Sequence, residues 1–305
     1  MMMHEPLRFS DLRGTLTRNA PLAKYTSWRA GGAAETLYRP ADRDDLAQFV
    51  RRLPKDTPIT ALGLGSNTLV RDGGVRGTVI VMHDPGAALA VADGLIYVDA
   101  GVACPKLARF AALHDCAGAE FLAGIPGTVG GAMAMNAGCY GGETWTYVAR
   151  VEVLDRDGRF DVRTAADYAI GYRSVRRCDG TPLDGIFTAA WFRFPPGDGL
   201  RARARIKALL SKRIASQPLG MPNAGSVFRN PDGDHAARLI EASGLKGFAI
   251  GGARVSEKHS NFIVNPDGRA SAADVELLIE HVRATVKAKT GVNLDPEVRI
   301  IGELR

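Results

Sequence analysis

The chain has 305 residues, is 46% hydrophobic and 24% charged, and carries a formal charge of +6. This length suits two domains with a sizeable core, and the composition excludes a disordered or fibrous protein. The basic balance favours anionic ligands in general without singling out nucleic acid. Four widely spaced cysteines (Cys104, Cys116, Cys139 and Cys178) include no C-x-x-C pair and support neither a disulfide framework nor a zinc ribbon. His114 and Cys116, two apart, make a poor metal pair, and no metal site is expected. No apolar run reaches membrane-spanning length and the first residues lack a signal-peptide core, so a cytoplasmic protein without membrane insertion is expected.

In chain order, residues 42–53 are predicted to be a helix: Asp42 and Asp45 suit its first turn, Leu46, Phe49, Val50 and Leu53 share a face, and Pro54 stops it. A strand at 59–62 runs into GLGSN (63–67), and further strands are predicted at 77–82 and 95–102. Pro105 opens a second helix. A glycine-rich tract at 121–143 follows, then strands near 148–154 and 186–194, and the turn FRFPPGDG (192–199) marks a boundary. Beyond it come a basic helix at 201–214, a Gly/Pro/Asn-rich loop at 217–233, a helix at 234–243 and short strands near 248–250 and 261–264. The helix starting at Ser271 has Asp274 at the capping-box position, buries Val275, Leu278, Ile279, Val282 and Val286, and closes at Gly291. A strand at 298–301 ends the pattern, which is α+β throughout.

FLAGIPGTVGGAMAMNAGCYGGE (121–143) is dense in glycine yet nearly uncharged, and its apolar residues argue against a flexible linker. Glycine lets main-chain N–H groups approach a ligand, and successive inward N–H groups form a concavity for phosphate or pyrophosphate. The other glycine loop, 63–67, fails the dinucleotide fingerprint because Thr68 stands where the third glycine belongs and no helix follows. G-K-[ST] and G-x-S-x-G are absent. Two loops, 63–67 and 124–131, thus offer backbone donors to an extended pyrophosphate without either common nucleotide fold.

Eight ordered segments resemble the UDP-N-acetylenolpyruvoylglucosamine reductase family: TSWRAGG (26–32), LGLGSNTLV (62–70), GIPGTVGGAMAMNAGCYGGE (124–143), YRSV (172–175), AGSVFRNP (224–231), EASGLKG (241–247), SEKHSNFIVN (256–265) and LDPEVRIIG (294–302). The resemblance implies an N-terminal extension (1–19), a two-subdomain FAD-binding domain of the vanillyl-alcohol-oxidase type (20–198) and a C-terminal α+β substrate domain (201–302). It implies noncovalent FAD, NADPH as co-substrate, a UDP-sugar whose enolpyruvyl C=C is reduced during peptidoglycan synthesis, and a monomer. Ala30 and Cys139 are mild departures, and the chain resembles the shorter of two family types, lacking a segment that longer members insert.

Carried over by motif, the implied catalytic residues are Arg173 (stabilising an enolate), Glu297 (supporting it, as a protonated acid) and Ser226 (protonating carbon). Cofactor binding is implied for Arg29, Gly63, Gly65, Ser66, Asn67, Gly124, Ile125, Pro126, Gly127, Thr128, Gly130, Gly131 and Asn136, and substrate binding for Tyr172 and Asn230. In isolation the favoured readings of the three are a surface arginine, a turn hydroxyl and an edge-strand carboxylate, and the resemblance reverses them. His259 suits a structural hydrogen bond in a polar turn better than a base. A flavin oxidase tethered through histidine is the rival on the same scaffold, but no histidine follows His114 before the glycine tract. The other rival is a basic nucleotide- or nucleic-acid-binding module without catalysis. The basic cluster at 201–213 lacks the interleaved aromatics that stacking on single strands requires.

Overall fold

The structure, a computed structural model, describes residues 11–305. The elements run β1 (Thr15–Pro21), β2 (Ala33–Arg39), α1 (Arg43–Arg52), β3 (Ile59–Leu62), β4 (Thr68–Val70), β5 (Val75–Val81), β6 (Leu89–Ala92), β7 (Leu95–Asp99) and α2 (Cys104–Leu113). There follow α3 (Val129–Met135), β8 (Gly138–Cys139), β9 (Gly142–Glu143), β10 (Val148–Leu154), β11 (Phe160–Arg163), β12 (Tyr168–Gly171), β13 (Ser174–Arg177) and β14 (Ile186–Phe192). The remainder is α4 (Gly199–Ser216), α5 (Ala236–Ala242), β15 (Ala249–Ile250), β16 (Ala253–Val255), β17 (Ile263–Val264), α6 (Ala272–Thr290) and β18 (Arg299–Ile301). One sheet has the order β1-β2-β5-β3 and a larger one the order β11-β10-β14-β7-β6. The hairpin β12–β13 is a two-stranded sheet by itself.

Two compact units divide the chain. Unit 1 comprises the described residues up to Arg18, Thr36–Gly63 and Gly77–Leu209; unit 2 comprises Asn19–Glu35, Leu64–Arg76 and Leu210–Arg305. The sequence-derived boundaries were continuous, whereas these units are interleaved: 19–35 and 64–76 count with the C-terminal part. The reason lies in pairing, since β18 joins β4 in parallel, Arg299 opposite Thr68 through Ile301 opposite Val70. Of the expected N-terminal extension 1–19, residues 1–10 lie outside the described residues.

In unit 1 the helix expected at 42–53 is α1, with the Asp42 carboxylate accepting the Asp45 N–H at 3.0 Å. Its apolar face forms a core with Tyr38, Ile80 and Leu154, and the Tyr38 ring stacks on Phe49 at 3.7 Å between centroids. The larger sheet is antiparallel at every junction. In unit 2 the core gathers Trp28, Leu69, Phe228, Leu239, Ile240 and the predicted face of α6, whose Ser271–Asp274 capping box is present. Trp28 is buried and its Nε1–H donates to the Ile263 carbonyl at 2.8 Å.

Strands β1, β6, β12 and β13 are among those that the sequence pattern does not predict. Each has at most one buried residue, so no two-residue hydrophobic alternation marks it. The glycine tract also differs from expectation. It is a 3-10 turn over Glu120–Gly124, an extended turn, and then a helix, α3, with Thr128 as N-cap. Glycines at 130 and 131 oppose helix formation by about 1 kcal/mol each, which hides α3 in the sequence. The basic residues Arg201, Arg203, Arg205 and Lys207 are exposed on α4, while Ala202 and Ile206 are buried.

Asp45 is buried and bound on three sides: the Tyr38 hydroxyl and the Ala41 N–H donate to Oδ2 at 2.5 and 2.9 Å, and the Arg13 N–H donates to Oδ1 at 2.8 Å. Burial raises its pKa, but these donors outweigh that and hold the carboxyl below the ordinary value of 3.8. A depressed folded pKa means the stabilisation is complete above the unfolded value and is lost as pH falls through the folded one. Asp45→Asn should therefore cost about 1–3 kcal/mol at pH 7, because an amide presents N–H to groups that are themselves donors. In urea denaturation the deficit should narrow as the pH falls below 3.8.

Candidate active site

In unit 1, Gly63 packs against the second glycine loop. A Cβ on Gly63 would lie 2.4 Å from Thr128 Oγ1, and one on Gly130 would lie 2.9 Å from the Ala100 Cβ. Side-chain-free backbone is the condition for this packing. Thr128 is fixed from both sides: Cys104 N–H donates to the Gly127 carbonyl at 2.9 Å, and Val129 N–H donates to that of Val102 at 2.8 Å. Its hydroxyl accepts from Gly131 N–H at 3.3 Å. Gly124 is buried with no room for a side chain, since a Cβ would lie 2.5 Å from Cys139 Sγ. Gly131 differs: it is exposed, and a Cβ there would find Thr128 Oγ1 alone within 4 Å, at 3.6 Å. Pro126 is exposed and Ile125 is buried.

Arg173 lies at the tip of the β12–β13 hairpin with φ +53°, an uncommon value for a residue with a side chain. Its guanidinium donates to the Gly138 carbonyl at 2.7 Å and reaches that of Asn136 at 3.5 Å. Tyr172, the neighbouring loop residue, is half-exposed, its ring centroid 5.1 Å from that guanidinium. Asn136 is buried and left-handed at the C-terminus of α3. Its Nδ2 donates to Glu143 Oε2 at 2.9 Å and to the Gly171 carbonyl at 3.2 Å, while its Oδ1 accepts from Trp145 N–H at 3.1 Å. Its side chain is thereby engaged within the protein at every hydrogen-bonding group.

Unit 2 brings Ser226 and Glu297 onto adjoining strands of chain. Glu297 N–H donates to the Val227 carbonyl at 2.7 Å, and Arg229 N–H to that of Asp295 at 2.9 Å. Asn67 joins them, its Nδ2 donating to the Glu297 carbonyl at 3.1 Å and its carbonyl accepting from Arg299 N–H at 2.9 Å. Gly65 follows a left-handed turn (φ +60°) so close to Tyr25 that a Cβ would lie 2.0 Å from its carbonyl oxygen. Ser66 is partly buried between Gly65 and Asn67, and Arg29 is exposed with φ +56°. Asn230 Oδ1 accepts from Ala236 N–H at the start of α5, at 3.1 Å. His259 is partly buried against Phe262, and burial pulls its pKa below the ordinary value.

Sequence reasoning missed Asn261. This buried amide pairs both ways with Phe228, accepting its N–H at 2.9 Å and donating to its carbonyl at 2.8 Å, while its own carbonyl accepts from Val227 N–H. It thus completes backbone bonding just after Ser226. A lone asparagine in a polar turn gave no signal of this. Glu143 was missed likewise, as the last letter of a glycine motif.

A curated relative from Thiobacillus denitrificans, named UDP-N-acetylenolpyruvoylglucosamine reductase, is 55% identical over 308 residues, covering 96% of this chain and 94% of its own. One of the same name from Nitrosomonas eutropha is 54% identical over 96% of this chain and 90% of its own. The chain belongs to the UDP-N-acetylenolpyruvoylglucosamine reductase family. The crystal structure of the Thermus caldophilus reductase of this family is similar, with a TM-score of 0.77 at 32% identity, over 95% of this chain and 99% of that one. A family profile described as the reductase's C-terminal domain matches residues 217–301, and one described as an FAD binding domain matches 34–162. The α+β fold with an FAD-binding domain followed by a reductase domain is as expected from the sequence.

The cofactor of this family's FAD domain fits the residues present. Segment 125–131 offers a surface poor in side chains, open at Gly131, where a Cβ would otherwise stand against a ligand. Gly63→Ala drives a methyl group into Thr128 Oγ1. The expected result is purified protein with its far-UV circular dichroism retained and its visible flavin absorbance strongly reduced. Asn261→Ala leaves the buried N–H and carbonyl of Phe228 unpaired and should cost about 2–4 kcal/mol in urea denaturation, from two lost partners at 1–3 kcal/mol each with partial rescue by water.

Proposed function

We propose that this chain reduces the enolpyruvyl C=C of UDP-N-acetylglucosamine enolpyruvate to UDP-N-acetylmuramate, as a cytoplasmic, monomeric enzyme of peptidoglycan synthesis that takes NADPH as co-substrate. The observation that carries the reading is 55% identity over 96% of the chain to a reductase named for this substrate. FAD, when bound, accepts hydride from NADPH and makes it available to the outer vinyl carbon.

The protein's own residues then manage charge and proton. Addition of hydride leaves an electron pair on the carbon bearing the carboxylate, delocalised as an enolate. The Arg173 guanidinium, planar and always charged, suits that carboxylate because two N–H groups can engage it together. Anchoring on the Gly138 carbonyl fixes its direction before substrate arrives, so little reorganisation is needed as charge develops. Glu297 supports the same carboxylate by hydrogen bonding. Ser226 supplies the proton to carbon; a hydroxyl is a weak acid, so this role demands the strongly basic enolate and a fixed Oγ. The short turn at Gly225 (φ +77°) and the Val227–Glu297 and Val227–Asn261 main-chain bonds hold the serine backbone on both sides. Arg29, Ser66, Asn67 and the amides of 124–131 are the proposed cofactor contacts, and Tyr172 and Asn230 the proposed substrate contacts.

An anaerobic titration tests the reading: NADPH should bleach the yellow protein, and the enolpyruvyl UDP-sugar, but not simple alcohols, should restore the colour. Ser226→Ala should stay yellow and NADPH-reducible while turnover falls by at least about 100-fold, the scale of losing one positioned transition-state group. Normal turnover in Ser226→Ala would remove serine from the mechanism.

A further inference from the structure

We propose that Asn136 and Glu143 form a bracket that positions the Arg173 guanidinium, making both of them positioning residues for the step in which the enolate forms. The proposal rests on the reductase reading above and deepens it.

Three observations in unit 1 carry it. Among the described residues the β12–β13 hairpin pairs with no further strand, so its tip depends on bonds from outside the hairpin. The Asn136 amide supplies one at the base of the loop, Nδ2 to the Gly171 carbonyl, across 35 residues of chain. The carbonyls of Asn136 and Gly138, in the chain leaving α3, take the guanidinium itself. The same short segment therefore grips the hairpin and the side chain it presents.

Glu143 completes the bracket. A primary amide has two N–H groups, and Glu143 Oε2 takes the one that the Gly171 carbonyl does not. With Trp145 N–H on Oδ1, the amide plane is fixed and its orientation cannot invert. The carboxylate also strengthens the arrangement, because hydrogen bonds to an ionised acceptor are the shorter and stronger kind. Finally, Asn136 is left-handed (φ 45°, ψ 51°), a conformation asparagine adopts more readily than most residues. That turn aims the carbonyls of 136 and 138 at the arginine. Side-chain contact with the cofactor would require Asn136 to give up one of these bonds.

Positioning predicts a split between the two half-reactions. Asn136→Gly keeps the left-handed turn and deletes the amide. In its flavin-loaded fraction, anaerobic reoxidation by the enolpyruvyl UDP-sugar should slow roughly 100-fold, the scale of an ångström's misplacement, and by more than reduction by NADPH slows. Glu143→Ala should slow reoxidation about 10-fold, whereas Glu143→Gln, whose amide oxygen still accepts from Asn136, should come within about threefold of the parent. Equal slowing of both half-reactions in flavin-loaded Asn136→Gly would overturn the bracket. Should Asn136→Gly fail to fold, the Glu143 pair decides: unchanged reoxidation in Glu143→Ala, or no recovery in Glu143→Gln, overturns it. Failure of the unmutated, NADPH-reduced protein to be reoxidised by the UDP-sugar would instead overturn the reductase reading itself.

Discussion

A peptide group removed from water must find a partner, and the segments carrying Arg173, Ser226 and Glu297 have few neighbouring strands to supply one. Asparagine side chains fill the gap. Asn261 pairs with both main-chain groups of Phe228, Asn67 caps the carbonyl of Glu297, and Asn136 joins Gly171 to Glu143 and Trp145. Asn265, fully buried, does the same for Trp28 and Ala270. An amide offers donors and an acceptor at a fixed angle without charge, so it can replace a length of β-ladder where the chain must stay irregular. Irregular backbone can then be held as firmly as a strand while its side chains stay available for chemistry.

The glycines act by the complementary route of removing bulk. In unit 1 Gly63 packs on Thr128 and Gly130 on Ala100, and Gly65 allows unit 2 to turn tightly over Tyr25. Most of these positions are thus required by the protein's own packing before any ligand is considered. Gly131 is the exception, open where the others are crowded. The tract is therefore less a flexible cradle than a rigid, narrow shelf.

Amphipathic helices were legible in the sequence because burial there follows a period: the face of α1 and that of α6, with its capping box, were readable residue by residue. The α+β class and the family were legible through ordered motifs. The hairpin that carries Arg173 was not, because Tyr168 and Val175 are its only buried residues and two positions make no period. Helix α3 was masked by its own glycines. The interleaving of the units was invisible for a different reason: it depends on a parallel pairing of β4 with β18, and three-residue strands do not name their partners. Motif matching named Ser226, Glu297 and Asn67, but each hydrogen bond that brings them together has a main-chain group as at least one partner, and main-chain groups have no letter in the sequence.

That same pairing bears on how the molecule is made. Asn67 and Glu297 are bonded yet stand 230 residues apart, and Leu69 and Val70, wholly buried in the finished fold, wait for β18 before they are covered. A ribosome adding roughly 5–20 residues per second leaves that apolar strand without its mate for roughly 10–50 seconds. Unit 2 must therefore mature after translation has passed through most of unit 1, and nascent chains halted between the two stretches would display a sticky edge suited to chaperone capture.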